Sequence, residues 1–130
     1  MEKITSNLRK RMSAKDAHYG GNLCDGAHML HLFGDIVTEI AIKVHGDEGL
    51  FLRYDEVEFT APVYAGDFIE AYGEVTKLGN TSMTCDLVAT KVIASRADVG
   101  PSAADFLDEP VVVCRAKGIT VVPKANSRKK

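Results

Sequence analysis

Apolar residues recur between positions 27 and 44 as Met29, Leu30, Phe33, Ile36, Val37, Ile40, Ala41 and Val44, the spacing of a helix that turns one broad face inward. Asp25 and Gly26 stand where such a helix starts. His45-Gly46 supplies the stop, because glycine takes positive φ without a Cβ clash. Beyond residue 50 the period shortens to two. LFLRYDEVEFTAPV (50–63), FIEAYGEVTKL (68–78), SMTCDLVATKVIA (82–94) and VVVCRAKGITVV (111–122) alternate and are rich in β-branched and aromatic residues, so they predict four strands. A further short strand is expected near 6–14. Tyr64-Ala65-Gly66-Asp67 and Gly79-Asn80-Thr81 read as tight turns between antiparallel neighbours. The stretch SRADVGPSAADFLDEP (95–110) is long for a connection inside one domain, which leaves open a lid, a short helix or a partner-contact loop. One long helix among antiparallel strands implies an α+β layer, a curved sheet wrapped around one long central helix.

Composition narrows the class. A chain of 130 residues suits a single domain spanning 1–130, and 45% hydrophobic with 26% charged residues is a globular balance. The net charge of −2 gives no general attraction to nucleic acid or to a membrane surface. Only the end, ANSRKK (125–130), is strongly basic, and it reads as a frayed, disordered tail. Cys24, Cys85 and Cys114 are far apart and odd in number, a pattern of reduced thiols that places the chain in the cytoplasm. MEKITSNLRKRMS lacks the apolar segment of an export signal, and no apolar run approaches the roughly 18 residues of a membrane span. The expectation is a chain that is neither exported nor anchored.

Candidate chemistry concentrates in DAHYGGNLCDGAHML (16–30), where a glycine-rich turn feeds the helix start. The first N–H groups of a helix lack internal partners and favour negative charge, so the N–H groups around Asp25, Gly26 and Ala27 suit a substrate oxyanion. Gly26 either lets a substrate approach without a Cβ in the way or is simply a glycine tolerated at a helix start. Asp25 reads from its position first as an ordinary N-cap, and beside that as a candidate acid/base or ammonium partner. His18, a histidine in the loop before the helix, can move a proton, or it can hydrogen-bond its own loop. His28, His31, Asp35 and Glu39 make a polar stripe along the helix, without HExxH or another metal motif, and read as a solvated face rather than a metal site. Tyr19 and Tyr54 can line a pocket or serve as packing. Cys24 beside Asp25 reads as a small packed residue, since a neighbouring carboxylate raises a thiol pKa.

The glycine-rich turn HYGGN, the strand-turn-strand EFTAPVYAGDFIEAYGEV (58–75) and KLGNTSM (77–83) resemble the hotdog fold of acyl-CoA thioesterases and hydratases. Three longer passages, 11–35, 46–71 and 109–124, carry a closer similarity over nearly the full chain to the hotdog acyl-CoA ammonia lyases that act on 3-aminobutyryl-CoA and β-alanyl-CoA. Thioesterases of this group commonly place an acid about seven residues after the helix-start glycine. This chain has Phe33 there, with Asp35 on another face. The resemblance implies reversible loss of ammonia from L-3-aminobutyryl-CoA to give crotonyl-CoA, as in lysine fermentation, with acyl-CoA thioesterase or non-catalytic acyl-CoA binding as alternatives. It implies His18 and Asp25 as the catalytic pair, with Gly21, Gly26, Ala27, Tyr19 and Asp35 around the thioester. It offers Lys77, Asn80, Thr81, Ser82, Lys91 and Arg96 for the CoA moiety. No permanently bound cofactor or metal is implied, coenzyme A arriving as part of the substrate, and hotdog protomers imply a homodimer or a dimer-based higher oligomer.

Overall fold

The first element with a strong reason to exist is the helix. The computed structural model, which describes residues 2–129, places α1 at Ala27–His45, within a residue of the expected span. Met29, Leu32, Phe33, Ile36, Val37, Ile40 and Ala41 are buried along it, so Leu32 joins the face while Leu30 and Val44 sit at its partly covered margins. Gly46 ends the helix at φ +70°, and its N–H donates to the Ile42 carbonyl at 2.8 Å. That is the left-handed cap that glycine adopts without strain.

Five strands form one antiparallel sheet. They are β1 (Thr5–Arg11), β2 (Leu50–Phe59), β3 (Phe68–Leu78), β4 (Ser82–Ser95) and β5 (Ala104–Val121), in the order β1-β3-β4-β5-β2. Alternation does the sorting: Ile69, Ala71, Met83, Cys85, Leu87, Ala89, Val113 and Ala116 are buried with the helix, while Glu70, Tyr72, Asp86 and Arg115 face away. The architecture is thus the curved sheet around a central helix that the pattern predicts.

Three expectations change. The Gly79-Asn80-Thr81 turn does join neighbours, with Leu78 opposite Met83. Tyr64–Asp67 also turns, Asp67 N–H donating to Tyr64 O at 3.0 Å, but the strands on either side of it are not paired. β2 lies at one edge beside β5, so residues 60–67 carry the chain across the sheet to β3 near the other edge. Second, residues 104–110 are strand rather than loop. Register steps from Lys91 opposite Val111 to Ile93 opposite Phe106, so residues 107–110 are set out of the ladder as a wide bulge. Pro110, which has no N–H to give, is accommodated there. Third, the basic end is docked as far as Lys129, Lys130 lying outside the described residues. Arg128 donates from its backbone N–H to His45 O at 2.7 Å and from Nε to Gly46 O at 2.9 Å, and Lys129 Nζ reaches Lys43 O at 3.2 Å. Cationic side chains meet the unpaired carbonyls at the negative end of the helix. Among the described residues no helix is long and apolar enough to cross a membrane.

Candidate active site

The loop before α1 is knitted to the crossover that follows β2. Cys24 N–H donates to Val63 O at 2.8 Å, and Leu23 pairs with Tyr64 in an isolated antiparallel bridge. Between these two segments lies a cleft of about 570 Å³, lined by Tyr19, Cys24, Asp25, Gly26, Ala27, Met29, Phe59, the 60–63 segment and Val113. Its lining is apolar apart from a few groups, the pattern of a small-molecule site. Asp25 carries the one carboxylate among the described residues that line it. A second cleft, about 520 Å³, runs along the outer face of the sheet, where Glu56, Glu58, Glu74 and Asp86 stand beside Arg115 and Lys117. Lys117 there sits 3.2 Å from Asp86.

Asp25 does not cap the helix. Its Oδ1 is hydrogen-bonded to His28 Nδ1, one helical turn on, and His28 Nε2 lies 3.2 Å from Asp16 Oδ1. Both ring nitrogens therefore face carboxylates. Asp16 is fixed in turn: its Oδ2 accepts the Ser13 N–H at 2.8 Å and lies 3.6 Å from Lys10 Nζ. The Ser13 N–H, then Lys10 and His28, hold the Asp16 carboxyl below the usual carboxylate range against a smaller opposing effect of burial. Because Asp25 is turned toward His28, the N–H groups of Gly26 and Ala27 have no acceptor among the described residues. They are available at the mouth of the cleft.

The expected residues separate into those the fold gathers and those it does not. Asp25, Gly26, Ala27 and Tyr19 meet at the cleft. His18 is exposed and stacks edge-on against Tyr19 with ring centroids 5.0 Å apart, so the imidazole beside Asp25 is His28 and not His18. His28, on the helix stripe that reads as a solvated face, and Asp16 are the two residues beside Asp25 that the expected set lacks. The signal for His28 is its i, i+3 spacing from Asp25; nothing in the spacing points to Asp16. Gly21, at φ +70°, faces a different depression beside Asn22 and Tyr64. Asp35 is exposed on α1, eight residues on from Ala27, about 12 Å at the helical rise. Its charge acts on Tyr54, whose hydroxyl donates to Leu30 O and is pushed up to about 12, mainly by burial. Phe33, at the position of the thioesterase acid, is fully buried.

The CoA candidates are dispersed. Lys77, Asn80, Thr81 and Ser82 lie at the β3–β4 hairpin, where Ser82 is opposite Val121. That end is eight residues along β5 from Val113, roughly 26 Å at strand rise. Lys91 is spoken for by the fold: Nζ sits 3.0 Å from the buried Asp67 carboxylate and donates to Pro62 O at 2.8 Å. Arg96 is occupied by Asp98 and Asp105, each at 2.9 Å, which raises its pKa further. Cys24 is pushed up to about 11, first by burial and then by nearby carboxylates, so it is no nucleophile at neutral pH. Among the described residues no group of three or more His, Cys, Asp and Glu is disposed to hold a metal ion.

A sheet wrapped on one helix, with a carboxylate and free N–H groups at the helix start, matches a known class. The family model described as the thioesterase superfamily covers residues 21–92, and the chain belongs to that hotdog superfamily. Within it, the chain is 59% identical over 126 residues to the 3-aminobutyryl-CoA ammonia lyase of Acetoanaerobium sticklandii, spanning 97% of this chain and all of the relative. Among solved structures, β-alanyl-CoA:ammonia lyase from Clostridium propionicum superposes with a TM-score of 0.93 at 42% identity, covering 99% of this chain and 92% of that one. A hexameric hotdog thioesterase from Yersinia pestis, at 20% identity and a TM-score of 0.74 over 97% of this chain and 92% of its own, shares the fold alone.

Proposed function

We propose that this chain is a carbon–nitrogen lyase that reversibly eliminates ammonia from L-3-aminobutyryl-CoA to give crotonyl-CoA. One observation carries the reading: near full-length identity of 59% with a 3-aminobutyryl-CoA ammonia lyase. The geometry supports it. Elimination removes the proton from the carbon next to the thioester carbonyl, and the electron pair expels the amine from the next carbon. Asp25, the cleft's carboxylate, takes that proton, while His28 and Asp16 hold it in place. Gly26 and Ala27 N–H groups meet the thioester oxygen as it gains charge, a type of contact whose loss typically costs about 3 kcal/mol in the barrier. The thioester itself acidifies the α-carbon, so coenzyme A travels as part of the substrate. Phe33 in the core removes the helical acid that would serve a thioesterase.

Assembly and setting belong to the same proposal. β2 is an edge strand with Leu50 and Leu52 more than half exposed, the kind of edge that a second copy covers. The protein works as a homodimer or an assembly of dimers, in the cytoplasm.

Purified protein mixed with crotonyl-CoA and ammonium tests the reading. Enoyl absorbance is expected to fall only when ammonium is present, with no free thiol released, and Asp25→Asn is expected to slow the loss about 100-fold or more. Thiol release without ammonium makes the protein a thioesterase instead. Tight CoA-ester binding with neither change makes it a binding protein.

A further inference from the structure

The cleft has one wall that the rest of the protein does not hold. Cys24, Met29, Val63 and Val113 close its inner end and are all 6% exposed or less, part of the packed core. The 60–63 side is pinned: Thr60 N–H donates to Val113 O at 2.9 Å, its hydroxyl to Val112 O at 2.7 Å, and Lys91 Nζ holds Pro62 O. Phe59 is different. It ends β2, is 57% exposed in the single chain, and its ring lies against Gly26. A Cβ placed on Gly26 would come within 2.4 Å of Phe59 Cε1 and 2.8 Å of Cδ1 and Cζ, closer than real contacts allow. The missing side chain at Gly26 is therefore room for this ring. The ring therefore shares the wall of the cleft with Gly26 and Ala27, whose N–H groups the proposed function gives to the thioester oxygen.

We infer that Phe59 is the specificity-determining residue of this site, restricting it to short acyl chains of three or four carbons on the CoA thioester. The inference rests on the acyl-CoA reading given above and adds which wall sets chain length. A core floor yields little, because the interior is packed to crystal-like density. The exposed ring is the side that a longer chain would have to displace. Removing it takes that wall away from the cleft.

The test is binding of saturated thioesters, which cannot undergo elimination or amine addition, so its outcome is independent of lyase activity. Butyryl-CoA and octanoyl-CoA are titrated calorimetrically into the wild type, Phe59→Ala, Gly26→Ala and the double variant, with melting curves confirming that each is folded. The wild type is expected to prefer butyryl-CoA by about tenfold or more, the scale on which a pocket discriminates between chains differing in methylenes. Phe59→Ala is expected to abolish or reverse that preference. Gly26→Ala, whose methyl collides with the ring and displaces it, is expected to weaken butyryl-CoA about tenfold, and Phe59→Ala in that background to restore it. A wild type indifferent to chain length, or a preference that survives Phe59→Ala, overturns the inference. So does a double variant as weak as Gly26→Ala, which would mean that Gly26 makes room for the ligand and not for the ring. If the binding results come out as expected while crotonyl-CoA and ammonium fail to react, the assignment of Phe59 stands and the lyase reading falls.

Discussion

At the scale of residues, the arrangement that matters is a carboxylate whose freedom has been removed. Asp25 is tied to His28, His28 to Asp16, and Asp16 to Ser13 and Lys10. The same logic of a reacting group oriented by a base and a third residue recurs in many active sites. His28 does not line the cleft, so under the proposed function it acts through Asp25 as a positioning residue. His28→Ala is expected to lower kcat about 10- to 100-fold, while the Kd for butyryl-CoA stays within about twofold of the wild type. Equal losses in kcat and affinity would instead make His28 part of the binding surface. Asp25 was legible in the sequence because a carboxylate beside a helix-start glycine is a local pattern. Its partners were only half legible. Asp25 and His28 are three apart, but Asp16 reaches His28 only because residues 14–22 fold through two 3-10 turns that bring it back to α1. Local propensity does not encode that return. The same holds for Lys91 and Arg96: as sequence they are two free cations, and as structure each already has carboxylate partners.

Among elements, α1, β3 and the start of β4 follow from periodicity alone, since each has an uninterrupted pattern and a strong stop. β5 does not, because Gly100, Pro101 and Pro110 mark a loop by every local rule while the long partner strand β4 keeps residues 104–106 in register. The crossover from β2 to β3 is likewise a tertiary fact. Its anchor is Asp67, 1% exposed at the side chain, which accepts the N–H groups of Tyr64 and Ser95 at 2.7 Å each as well as Lys91. One carboxylate thus joins the turn, the end of β4 and a buried cation. Asp67→Ala leaves that cation and two N–H groups without an acceptor, and urea denaturation is expected to show a loss of about 3–5 kcal/mol. A loss under 1 kcal/mol would mean that water replaces the carboxylate there. Because the crossover forms one side of the cleft, activity in this variant is expected to fail at a lower temperature than in the wild type.

For the whole molecule, the sheet has two open edges, and β2 carries the more apolar of them, with Leu50 67% and Leu52 57% exposed. Leu52→Lys places a charge on that edge, a device that keeps strands from pairing with another copy. In sedimentation the wild type is expected at a multiple of the 14.1 kDa chain mass, and this variant at the single-chain mass. An unchanged assembly would put the interface elsewhere. The interior carries a different consequence. Cys24, Cys85 and Cys114 are all buried, and burial pushes each thiol up to about 11. At pH 8 nearly all of each stays protonated and shielded, whereas free coenzyme A presents an ordinary exposed thiol. A colorimetric thiol reagent added during turnover would therefore read the small molecule against a quiet protein. A cysteine introduced on the exposed turn, for instance at Ala97, would accept a fluorescent label with the three native ones left in place.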